Sequence, residues 1–152
     1  MKTLEQWYAD YAVSHQNDTN IKIHYICVPA IFFSIVGMVM SIPHNPLQAL
    51  GLNNPIIGNW AALLLALTMI FYLRLSFGLF IRMLLFSAIC LVGNYYLGQV
   101  LPLFLTSLAI FVAAWIGQFY GHKVEGKKPS FFKDLQFLLI GPAWVFEKMT
   151  KA

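Results

Sequence analysis

Three histidines, His15, His24 and His122, are the residues in this chain best suited to hold a metal ion. Neutral imidazoles bind iron, zinc or copper well, and three of them with a position left open for water, oxygen or substrate make the ion catalytic. Around the third lies Trp115 to Pro129, where a long apolar run meets a basic segment. On a continuous helix Gln118, His122 and Glu125 fall at i, i+4 and i+7, so all three project from one face within two turns. Asn20, Gln118 and Glu125 could then fix the tautomers of metal-bound histidines, or Glu125 could complete the ligand set. Lys123, Lys127 and Lys128 could draw a substrate carboxylate or a lipid head group to the same rim. The alternative is a helix end whose Gln and His bond to neighbouring helices while the lysines touch lipid phosphate.

Whether the histidines meet depends on the elements that carry them. Of the 152 residues 59% are hydrophobic and 11% charged, and mean hydropathy is +0.68. Soluble domains carry roughly 25% charged residues, so the chain belongs in a membrane. No Asp, Glu, Lys or Arg occurs from Ile23 to Leu73 or from Met83 to Gly121. A spanning helix needs about 20 apolar residues, which makes those gaps bilayer-sized. The net charge of +4 then reflects basic residues flanking spans and implies no nucleic acid. Cys27 and Cys90 sit in apolar runs without a Cys-x-x-Cys pair, which suits packing better than disulfides or zinc. Met1 to Asp18 has no apolar core and is not expected to act as a signal peptide.

The pattern predicts an all-α integral membrane bundle, one domain over 1–152, with four transmembrane helices and an amphipathic or interfacial helix at each end. Thr3-Leu-Glu-Gln6 fits a capping box, and Leu4, Trp7, Tyr8, Tyr11 and Ala12 make an apolar stripe, so 1–18 reads as a surface helix. His15 lies on that stripe, where its other reading is a ring bonded to a last-turn carbonyl. Gln16 to Asn20 is a polar break, with Asn20 as a cap for the next helix. His24 follows His15 by nine residues, so the two converge only if the chain reverses at the break. Spans are expected at 21–42, 57–73, 83–97 and 103–121, with Leu75 to Ile81 as a short interfacial segment. Gly117-x-x-x-Gly121 would let a neighbouring helix approach closely. A last helix over 130–149, divided by Gly141-Pro142, is expected to be interfacial or re-entrant. With four spans all ten Lys and Arg fall on one side, which the positive-inside rule makes cytoplasmic. His15, His24 and His122 then share the cytoplasmic rim, and only His44 lies opposite. A site at that depth meets the head group of an amphipathic lipid.

Tyr11-x-x-x-His15-x-x-x-x-Asn20-x-x-x-His24, then Val28-Pro29, Trp115-Ile-x-Gln118-Phe-x-Gly121-His122, a basic pair before Pro129 and a later Gly141-Pro142 together closely resemble the Mpo1-like family. The resemblance covers nearly the whole chain. Its characterised yeast member is an iron(II)-dependent dioxygenase of the endoplasmic reticulum that shortens 2-hydroxy fatty acids by one carbon in α-oxidation. The resemblance therefore implies Fe(II) as cofactor, O2 as co-substrate, a 2-hydroxy fatty acid as substrate, and His15, His24 and His122 as the iron ligands. It also implies a multi-pass protein, here of a bacterial cytoplasmic membrane, whose homo-oligomeric state stays open. Two other readings of the residues remain: a zinc-dependent lipid hydrolase using the same histidines, and a non-enzymatic membrane carrier or assembly protein.

Overall fold

A computed structural model describes residues 1–126 and 137–151. The described residues form six α-helices, α1 (Leu4–Ala12), α2 (Asp18–Met40), α3 (Trp60–Leu75), α4 (Phe77–Val100), α5 (Leu103–Glu125) and α6 (Ile140–Lys151), plus a 3-10 turn at Gln48–Leu50, and no strand. Three of them, α2, α4 and α5, are long and apolar enough to cross a membrane. At 16 residues, α3 is about 24 Å long and falls short of a hydrocarbon core of about 30 Å. Four spans are therefore not established by helix length. The outward faces are apolar, with Ile26, Leu85, Ile89 and Ile116 more than 60% exposed, while Asn94, Ser107 and His24 are almost fully buried. That inversion suits lipid better than water.

The termini of the elements follow local chemistry. Thr3 and Gln6 form the reciprocal capping box their spacing predicts. The second helix is capped by Asn17, whose Oδ1 accepts from the Thr19 and Asn20 amides, and not by Asn20. It starts at Asp18, three residues before the expected Ile21. Ser76 separates α3 from α4, its hydroxyl accepting from the Leu79 amide. No interfacial segment therefore precedes the third span, and Arg82 lies within a helix that is continuous from Phe77. Gly141 and Pro142 lie in the first turn of α6, which begins at Ile140. Proline is tolerated in a first turn because its missing donor would have no partner there. Positions 130–136 of the expected C-terminal helix, and Lys127 and Lys128, lie outside the described residues.

The chain makes two compact units, Met1–Phe32 with Phe111–Ala152, and Phe33–Ile110. In the second, α3 packs along α4, and the Asn94 amide donates to the carbonyls of Phe33 (3.0 Å) and Cys90 (2.9 Å). A Cβ on Gly37 would overlap Ser107 Oγ and Asn94 Oδ1. Gly37→Ala is thus expected to destabilise the protein by about 1–3 kcal/mol through overpacking. At an open helix site the same change would stabilise by about 1 kcal/mol. A denaturant melt in detergent reads the sign.

In the first unit α1 packs against α6, with the Trp7 and Tyr11 rings edge-on to Phe137. This unit carries all three candidate ligands.

Candidate metal centre

His15 sits in the turn after α1. Its Nδ1 lies 2.6 Å from the carbonyl of Tyr11, four residues back. A carbonyl only accepts, so Nδ1 carries the hydrogen and Nε2 keeps its lone pair. The two readings of His15 are thus compatible: one ring nitrogen satisfies a last-turn carbonyl of α1 and the other stays available. His24 repeats the device on α2, with Nδ1 2.9 Å from the Asn20 carbonyl. Backbone carbonyls therefore set both tautomers, in the place the sequence suggested for side chains of Asn20, Gln118 or Glu125.

The polar break reverses the chain far enough to bring His15 and His24 to ring centroids 4.4 Å apart. His122, in the last turn of α5, lies 5.7 Å from His15 and 5.3 Å from His24. One nitrogen from each ring lies within 4.8 Å of those of the other two, and all three residues are buried. His15 Nε2 has no hydrogen-bond partner among the described residues. A buried lone pair without a partner is costly, and an ion shared with the other two rings would satisfy it. Burial also pushes the His15 imidazole down to about 4, against the hydrogen bond to Tyr11, which acts the other way. At neutral pH this ring is therefore uncharged, the form that ligates. By donor type, spacing and burial the residues fit a divalent transition metal.

Glu125 has a different task. One carboxylate oxygen accepts from the Gln16 amide at 2.9 Å, and the other from the Asn17 amide at 2.8 Å and from Asn20 Nδ2 at 3.0 Å. Gly126, with φ 75°, ends α5 at once in the left-handed conformation that suits glycine. The carboxylate ties the loop bearing His15 to the end of the helix bearing His122; its contacts are these amides, not the ring tautomer or the fourth ligand position expected of it. Asn20 joins in, donating also to the Ser14 carbonyl at 3.2 Å.

Close approach of α2 and α5 depends on small residues. A Cβ on Gly121 would overlap Asn20 Oδ1, and one on Gly117 would come within 2.6 Å of Cys27 Sγ. The Gly-x-x-x-Gly face thus seats α2, as its spacing suggests. Behind His15 stand Tyr11, stacked on the imidazole at 4.0 Å and 4°, and Trp144, 5.5 Å away. Trp144 was not legible as a site residue, because only the path of the chain into α6 brings it here. Lys123 is exposed and has no contact with the histidines among those described. His44 faces Trp60 at 6.1 Å in the other unit.

An all-helical chain with membrane-length apolar helices and a buried three-histidine cluster defines the class of protein. The profile of the family described as "2-hydroxy-palmitic acid dioxygenase Mpo1-like" matches residues 1–152, and the chain belongs to that Mpo1-like family. No curated protein and no solved structure matches it.

Proposed function

We propose that this chain is a multi-pass membrane enzyme, an Fe(II)-dependent dioxygenase that cleaves the C1–C2 bond of a 2-hydroxy fatty acid and releases the acid one carbon shorter. The observation that carries the reading is the cluster of three buried imidazoles with donor atoms within 4.8 Å of one another. The family's description, which speaks of 2-hydroxy-palmitic acid, supports the substrate class.

His15, His24 and His122 would hold the ion. When bound, Fe(II) supplies the one-electron chemistry that lets dioxygen react with a closed-shell acid. Three neutral ligands leave the charge of a divalent ion uncompensated in a buried site, and the Glu125 carboxylate is engaged elsewhere. An anionic substrate with a hydroxyl beside its carboxylate would supply that charge and two oxygen donors, which favours a 2-hydroxy acid over a neutral ester. Tyr11 and Trp144 keep water from one side of His15. The balance closes with oxygen alone: the 2-hydroxy acid and O2 give the shortened acid, carbon dioxide and water, and the substrate provides all four electrons.

The membrane placement follows the same logic. With α3 as a fourth, short span accommodated by local thinning of the bilayer, both termini and the α3–α4 turn lie on the cytoplasmic side with every Lys and Arg. The histidines then lie at the depth where a fatty acid presents its head group. Oxygen uptake tests the reaction. Purified protein loaded with Fe(II) should consume about one O2 per 2-hydroxypalmitate and form pentadecanoate, the balance argued above, and should leave palmitate unchanged. Shortening of palmitate at the same rate, or no uptake with either acid, would refute it.

A further inference from the structure

An open groove adjoins the histidine cluster. It is lined by Tyr8 of α1, Tyr25 of α2 and Trp144, Glu147, Lys148 and Lys151 of α6, all in the unit that holds the histidines. Its volume of about 480 Å³ lies within the roughly 300–1,000 Å³ of small-molecule sites. The cavity beside Gln118, by contrast, measures about 20 Å³ and has room for one water. Trp144 joins the groove to the metal centre, lining the one and standing 5.5 Å from His15 in the other.

The path of α6 gives the groove its direction. Gly141, in the first turn, abuts Val28, which lies one turn deeper along α2 than His24. Trp144 then reaches the level of His15, and Lys148 and Lys151 follow one and two turns further out. The groove therefore leads from the histidines to the rim, where a fatty acid carries its carboxylate. Its lining is cationic by one charge. Lys151 is paired with Glu147, Nζ to Oε1 at 2.6 Å. Lys148 has no acidic partner among the described residues, and its ammonium lies 5.4 Å from the centre of the Trp144 ring. A ring face attracts a cation without cancelling its charge. The ammonium is thus held beside the way to His15 and can still meet an anion. Tyr8, Tyr25 and Trp144, with the lysine stems, offer apolar walls for the carbons behind that anion. One uncompensated cation among aromatic rings matches a single carboxylate on an alkyl chain.

We infer that this groove is the docking site of the fatty acid, which rests its carboxylate on Lys148 and its first carbons against Tyr8, Tyr25 and Trp144 before the head group passes to the histidines. The inference rests on the proposed dioxygenase reading and adds the site of capture that precedes the reaction.

Binding to the protein as purified, in phosphatidylcholine nanodiscs under nitrogen, tests it without turnover. Palmitate and hexadecanol are titrated by calorimetry into the wild type, Lys148→Met, Lys148→Arg and Lys22→Met. Lys148 and Lys22 are both exposed, so none of these changes threatens the fold. Lys148→Met should weaken palmitate binding roughly fivefold, the worth of one cation near a membrane surface, and the loss should shrink as salt is raised. Lys148→Arg should keep the affinity, Lys22→Met should leave it unchanged, and uncharged hexadecanol should bind to all four alike. In turnover of 2-hydroxypalmitate, Lys148→Met should raise KM by a similar factor while kcat and metal content stay as in the wild type. Unchanged palmitate affinity in Lys148→Met, or an equal loss in Lys22→Met, would overturn the inference and leave the dioxygenase reading standing. So would phosphatidylglycerol that displaces palmitate from the wild type and not from Lys148→Met, since the groove would then hold a phospholipid phosphate. The Lys148 effect on palmitate in protein that takes up no iron would instead remove the dioxygenase reading and keep the groove.

Discussion

Replacing His122 with alanine is expected to reduce bound metal below a tenth of an equivalent and turnover to background. The residue supplies one of only three donors, and no other His, Cys, Asp or Glu among the described residues belongs to the cluster. His15 and His24 alone would offer a two-nitrogen site without a carboxylate, which binds divalent ions weakly. The fold should survive, because alanine is the best helix former and the position lies in the last turn of α5. Losing a buried ring still costs stability, roughly 1–3 kcal/mol by the usual scale of cavity formation. Elemental analysis, turnover and a helicity melt on one preparation check all three statements. Full activity in this variant would remove the imidazole cluster from the mechanism.

Glu125→Ala should have the next largest effect, and a distinguishable one. The substitution strands the Gln16 and Asn17 amides and Asn20 Nδ2. The two amides are exposed enough to hydrate, so the direct cost to stability is about 1–3 kcal/mol. The larger consequence is positional, because the loop released from α5 is the one carrying His15. Groups that orient ligands without touching the metal typically contribute 10–100-fold to metal affinity or activity. Glu125→Ala is expected to fall in that range and to regain activity when Fe(II) is raised by the same factor. Gln at this position keeps one acceptor oxygen but turns its NH2 towards one or two of the three donors, so Glu125→Gln should rescue only in part. The His122 variant should not recover at any Fe(II) concentration tolerated by the assay. Equal recovery of both would contradict the division between ligand and clamp.

The helical architecture was legible because each long apolar run is bounded by polar or breaking residues, and Ser76, Asn59 and Thr3 cap where such residues usually do. Arg82 misled, since a charge within an apolar run reads as the end of a span. Here the long side chain reaches back along α4, with Nε 3.5 Å from the Gly78 carbonyl, and the helix continues. Asn17 caps α2 where Asn20 was expected, a difference that depends on the path of the turn. The identity of the three histidines could be read from their depth once topology was assigned. Their tautomers could not, because they depend on which carbonyl each ring meets. Nor could the clamp, which joins positions 105 to 109 residues apart, or Trp144, which reaches the site from another helix.

The most direct test of the central claim is the metal content of the protein, purified from its membrane without chelator or histidine tag and analysed by elemental mass spectrometry. Close to one equivalent of iron is predicted, and less than a tenth in a variant lacking His15, His24 and His122. Zinc in place of iron, or no metal after anaerobic reconstitution with Fe(II), would contradict it.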